Sequence, residues 1–200
     1  MLGVYLKAVV LNQSLMKKLL LLISLFSITC ISAQDIYLQC GNIVDTESGK
    51  ILKEKTIVVS GNKIKNIQNG FVAGSGDDKT IDLKSKTVLP GFIDMHVHIE
   101  GESSPTRYIE RFTKNKEDVA FQSTVYAERT LMAGFTTVRD LGGSGVNISL
   151  RNAINAGKIP GPRVFTAGKS LATTGGHADP TNGSSRKLIG NPGPKEGVVN

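Results

Sequence analysis

His96 and His98 fall in the run "VLPGFIDMHVHIEGE", Val88 to Glu102, and are two of the three histidines in a 200-residue chain. Side chains alternate across an extended strand, so residues i and i+2 share a face about 6.5–7 Å apart. Two imidazoles at that spacing can converge on one divalent ion while Val97 faces the opposite layer. Zinc-like ions accept neutral imidazole, and water bound to them becomes nucleophilic near neutral pH. The same pattern also fits two partly exposed strand histidines that hold nothing. Spacing alone does not choose between these readings.

Other residues have types suited to a site. The third histidine, His177, sits in "TTGGHADP", where glycines permit unusual backbone angles and close approach of a ligand. It either meets such a ligand or stands in solvent. Arg139 and Asp140 end the run "FTTVRD" and could shape a pocket, or form a structural ion pair or a helix cap. Glu100 and Glu102, just past the histidine pair, belong either to a pocket rim or to a solvated surface.

The elements that must position these residues can be read from periodicity. Residues 34–88 carry the signals of short strands. Ile57-Val58-Val59 precede the turn dipeptide Gly61-Asn62, and Ile81 and Leu83 alternate with Asp82 and Lys84. Between them "AGSGDDK" is a loop, and the whole reads as a small antiparallel β unit. Phe92 to Ile99 reads as a strand buried on both faces. A helix is expected from Glu117 to Ala133, with Glu117 and Asp118 near its N-terminus and Gly134 closing it. "FTTVRDLGG" is strand and glycine-rich loop. "NISLRNAINAG" is a second helix with Asn147 as cap and Gly157 as stop, and "PRVFTAG" is a third strand. Strand and helix in alternation define an α/β protein with a parallel sheet, either barrel or doubly wound. His96 and His98 then end their strand on the side where barrel enzymes place catalytic groups.

Composition is that of a globular chain, with 40% hydrophobic and 20% charged residues and no tryptophan. Of the net charge of +7, Lys7, Lys17 and Lys18 precede Gln34 and leave +4 on the remainder. Those charges are interleaved, without the basic runs of a nucleic-acid face. "MKKLLLLISLFSITCISAQ", from Met16, has the basic, apolar and small-residue order of an export signal over residues 16–33. Its apolar run is shorter than the ~20 residues of a spanning helix, so no membrane span is expected after its removal. Residues 1–15 then read as an over-extended start. The protein is expected to be periplasmic or secreted. Cys30 raises a lipoprotein alternative, but Ser27-Ile28-Thr29 lacks the usual pattern before it. Cleavage after Ala33 leaves Cys40 alone, and an intrachain disulfide is then impossible.

"IDL" with "KTVLPGFIDMHVHIEG", then "AGFTTVRDLGG", then "GPRVFTAGKSLATTGGHAD" resemble, in order, the metal-dependent amidohydrolase superfamily. The last two motifs are similar to its branch of imidazolonepropionase-like proteins and prolidase-like dipeptidases, and the resemblance runs from about Cys40 to Asn200. It implies a (β/α)8 TIM barrel, of which residues 89–200 supply about three βα units. It also implies a small β-sandwich built partly from residues 34–88. His96 and His98 would bind a divalent metal, zinc in class, as one ion or two. Asp94 would take a structural or metal-supporting role and His177 a substrate-binding one. The activity implied is hydrolysis of amide or peptide C–N bonds by metal-activated water, on a small-molecule amide or peptide; oligomeric state stays open.

The family's bridging carboxylated lysine, two further histidines and its catalytic aspartate belong to later strands. No position here supplies them, and a barrel typically needs about 250 residues. The sequence is therefore expected to be the N-terminal part of a longer enzyme, with catalytic residues beyond residue 200 and little activity of its own. The alternative is a non-catalytic barrel scaffold or binding protein that is related to these hydrolases.

Overall fold

The structure, a computed structural model, describes residues 34–199 together with Gln13 and residues 15–18. The segments read as an over-extended start and an export signal lie almost wholly outside the described residues. The chain divides into two compact units, Met1–Leu89 and Pro90–Asn200. Among the described residues no helix is long and apolar enough to cross a membrane.

In the first unit, β-branched runs punctuated by turns give four strands: β1 (Asp35–Asp45), β2 (Lys50–Ser60), β3 (Lys63–Asn69) and β4 (Lys79–Val88). They form one sheet in the order β3-β2-β1-β4. The β1–β2 and β2–β3 pairs are antiparallel, but β1 and β4 run parallel. The expectation of a purely antiparallel unit is thus corrected, and the reason lies in the loop at residues 70–78. That loop crosses one face of the sheet instead of making a hairpin. Thr56 Oγ1 donates to the Gly70 carbonyl and accepts from the Val72 amide, at 2.8 and 2.9 Å. Gln39 Nε2 reaches the Val72 carbonyl at 3.2 Å, and Asp78 Oδ1 receives the Asp35 amide at 3.0 Å. The chain therefore returns to the start of β1 before β4 begins.

Thr56 and Val58 are buried on the loop side, while Cys40, Ile43 and Ile57 form the core with Leu38, Leu52, Val59, Leu83 and Val88. Burial pushes the free Cys40 thiol up from its usual pKa. One described sheet stands where the resemblance implies part of a two-layered sandwich.

The second unit alternates strand and helix: β5 (Phe92–Val97), α1 (Arg107–Thr113), α2 (Lys116–Met132), β6 (Phe135–Asp140), α3 (Val146–Asn155), β7 (Arg163–Thr166) and the short α4 (Arg186–Ile189). A turn of 3₁₀ helix follows at Pro194–Glu196. The strands pair in parallel in the order β5-β6-β7. Two successive βαβ crossovers in sequential strand order are the start of a (β/α)8 barrel. The α2 helix begins at Asn115 with a capping box, where Asp118 receives the Asn115 amide at 2.8 Å. Gly134, with φ of 98°, turns the chain into β6. Ala127 of α2 and Leu150 of α3 pack on Val138, Val164 and Ile99, which places the core on one side of the sheet.

β5 departs from the strand expected to be buried on both faces. Phe92, Ile93 and Met95 are 47%, 63% and 53% exposed. The strand is the sheet's edge, with only β6 beside it, so the helices bury Ile99 and partly cover Val97 while Phe92, Ile93 and Met95 stay open. Helix α3 also starts differently. Its N-cap is Gly145, and Asn147 lies inside the helix, fully buried, with Nδ2 donating to the Gly142 carbonyl.

A Cβ on Gly41 would lie 1.9 Å from the Lys84 carbonyl oxygen, where the β1–β4 register shifts. Backbone cannot yield as a flexible side chain can. The substitution Gly41→Ala is expected to destabilise the protein by about 2 kcal/mol or more, read as a lowered urea midpoint.

Candidate metal centre

β5 carries His96 as its penultimate residue, and His98 follows directly after its end. Their rings lie edge to face, with centroids 5.3 Å apart and planes at 65°. Both residues are exposed, and neither ring has a hydrogen-bond partner among the described residues. Two unpartnered imidazoles on one strand exit are donors suited to a zinc-class ion. The residues present fit part of such a site. Among the described residues no group of three or more His, Cys, Asp or Glu side chains is arranged to hold a metal.

Asp94 turns to its own strand, its Oδ1 accepting from the His96 amide at 2.9 Å. His98 opens onto a cleft of about 950 Å³, walled also by Glu100, Asp140 and Ser144 and by Arg107 and Arg111 of α1.

The polar residues around the histidines are bound into the scaffold. Asp140, fully buried, accepts from the Ile99 amide at 3.1 Å and from the Gly142 amide at 3.0 Å. Arg139 makes no ion pair with it; its Nε donates to the Met95 carbonyl at 2.8 Å. The ion-pair and helix-cap readings of this dipeptide are corrected accordingly, because successive strand residues point to opposite faces. Glu100 stands at the cleft, as the rim reading had it, and is also tied into the fold. Its two oxygens receive the amides of Ser144 and Asn147, both at 2.7 Å, at the N-terminus of α3. A carboxylate there satisfies free N–H groups and meets the positive end of the helix dipole. Glu102 forms an exposed ion pair with Arg129 at 3.0 Å.

Sequence reasoning did not find Glu100's part in α3, because its partners lie more than forty residues along the chain. The glycines of "RDLGGSG" were the available signal. A Cβ on Gly143 would approach Glu100 Oε1 to 2.7 Å.

His177 lies exposed in a turn after β7, outside any cluster with His96 and His98 among the described residues. That turn is ordered by Asp179, whose Oδ2 accepts from the Gly175 amide at 2.7 Å and whose Oδ1 accepts from the Thr181 amide and hydroxyl at 2.8 and 2.7 Å. The backbone amides of Gly175 and Thr181, then the Thr181 hydroxyl, hold the Asp179 carboxyl below its usual pKa.

Residues 87–199 match the model of the amidohydrolase family. The chain belongs to that family. Ochratoxinase of Aspergillus niger is 30% identical over 142 residues, covering 66% of this chain and 28% of that protein. A dihydroorotase of Staphylococcus epidermidis is 40% identical over 67 residues, 32% of this chain and 15% of the enzyme. Among solved structures, a Xaa-Pro dipeptidase with methionine bound in its active site is 43% identical with a TM-score of 0.75, covering 84% of this chain and 41% of that one. A prolidase complexed with N-methylphosphonate-L-proline is 35% identical with a TM-score of 0.63, over 72% and 34%. The chain thus spans well under half the length of these relatives.

Two outcomes test the supporting network. Glu100→Gln is expected to cost about 1 kcal/mol, seen as a lowered unfolding midpoint, because the helix terminus loses its charged partner. Asp179, with its pKa depressed by folding, contributes stability that is present above the unfolded carboxylate pKa and lost as pH falls through the lower folded value. The His177 turn is therefore expected to keep slow amide exchange at Gly175 and Thr181 through neutral and mildly acid pH. It should lose that protection below about pH 4, and at all pH values in Asp179→Asn.

Proposed function

We propose that this chain is the N-terminal part of an exported, metal-dependent hydrolase of amide or peptide C–N bonds, within the prolidase-like dipeptidases. The observation that carries the reading is the pair of exposed, unpartnered imidazoles at the exit of β5, in a chain of the amidohydrolase family. His96 and His98 hold a divalent ion of the zinc class, one or two in number. Such an ion polarises a carbonyl and makes water nucleophilic near neutral pH. Two imidazoles leave a tetrahedral shell incomplete, so the remaining donors come from later strands of the barrel. The span of under half the length of the relatives supports a longer enzyme.

His177, in its ordered turn, contacts the substrate, and Asp94 steadies the strand beneath His96. A small amide or a dipeptide fits the similar solved structures, one a Xaa-Pro dipeptidase and one a prolidase complexed with N-methylphosphonate-L-proline. Residues 34–88 form part of the N-terminal sandwich and residues 89–200 the first part of the barrel. The signal at residues 16–33 directs the protein to the periplasm or outside the cell.

Metal analysis of the full-length protein beside a His96→Ala/His98→Ala variant tests the ligand assignment. The wild type is expected to retain zinc-class metal and cleave Xaa-Pro dipeptides, with activity lost to a chelator and restored by zinc. The double variant is expected to lose both. Equal metal content in the two proteins would defeat the assignment, and a folded wild type with no metal and no turnover would favour the scaffold alternative.

A further inference from the structure

We propose that Arg139 and Asp140 form a two-point clamp that positions His96 and His98 for metal binding; the inference rests on the ligand assignment above. The β5–β6 ladder pairs Asp94 with Val138 and Val97 with Asp140, so β5 carries one more residue than β6 over this interval. Such a bulge interrupts backbone pairing and lets a strand bend. The Met95 carbonyl lies within the interval and accepts from Arg139 Nε at 2.8 Å. The Ile99 amide, one residue past His98, donates to Asp140 Oδ2 at 3.1 Å. Adjacent side chains of β6 thus hold the residue before His96 and the residue after His98.

The second Asp140 oxygen extends the clamp to the surface on which the His98 ring rests. Oδ1 accepts from the Gly142 amide at 3.0 Å. A Cβ added at Gly142 would stand 3.2 Å from both Nδ1 and Cε1 of His98. One buried carboxylate therefore ties together the backbone that carries the ring and the glycine beside it. Both residues are exposed, so the direction of their rings depends chiefly on the backbone beneath. Holding that backbone keeps both donors aimed at one point before an ion arrives. Arg139 and Asp140 are positioning residues, acting through the histidines without touching substrate.

The test uses the full-length protein, reading zinc affinity by competition with a chromophoric chelator and the visible spectrum of the cobalt-substituted form. Arg139→Met keeps the alkyl stem but removes the donor. Asp140→Asn keeps the shape but can accept only one of the two amides. Each is expected to bind zinc about 10–100-fold more weakly, with shifted cobalt bands. Arg139→Lys, whose ammonium can still reach the Met95 carbonyl, recovers part of the loss. Arg139 is exposed, so its variants remain decisive should Asp140→Asn fail to fold. Wild-type affinity and an unchanged cobalt spectrum in either folded variant overturn the clamp. If His96→Ala/His98→Ala meanwhile loses its metal, the ligand assignment still stands. Metal retained by that double variant overturns the assignment, and the clamp with it.

Discussion

A strand can present two side chains in one direction only if its backbone is held, and at the end of β5 the ladder that would hold it is broken. The extra residue between Asp94 and Val97 leaves the Met95 carbonyl to Arg139 and the Ile99 amide to Asp140. The Asp140 carboxylate is fully buried, a position that is costly for a charged group unless hydrogen bonds compensate it. The amides of Ile99 and Gly142 supply that compensation. The burial that makes Asp140 expensive also makes its hydrogen bonds strong, because little water competes for them. The arrangement around the histidines depends on this exchange.

Glu100 repeats the pattern one residue further on. Its carboxylate closes the N-terminus of α3 through Ser144 and Asn147, so the chain leaving β5 is bound to the end of β6 at Ile99 and to the start of α3 at Glu100. Helix α3 is in turn packed through Leu150 onto Val138 and Val164. The loops that shape the cleft beside His98 are therefore anchored to a rigid core, as a site on a barrel rim requires. The first unit uses the same device on its own sheet, where Thr56 and Gln39 tie down the crossing loop that makes β4 parallel to β1.

The parts legible in sequence were those set by neighbours in the chain. The acidic Glu117 and Asp118 at the start of α2, the Gly134 and Gly157 stops and the two-residue spacing of His96 and His98 are all local signals. The strand–helix alternation from Phe92 to Thr166 followed from periodicity, and the architecture agrees with it. What the pattern misjudged was exposure. An apolar run such as Phe92-Ile93 carries no mark that says which of its faces a neighbouring element covers.

Sequence by itself determined which residues are suited to chemistry, where α2 and α3 end, and that the second unit is βα in rhythm. Periodicity and capping act over a few residues, so these features survive without knowledge of the fold. Only the tertiary structure decided that Asp140 serves the backbone beyond His98, that Arg139 serves Met95, and that Glu100 serves a helix 47 residues further on. A carboxylate takes its role from the amides that burial brings to it, and those amides come from parts of the chain that no local pattern connects.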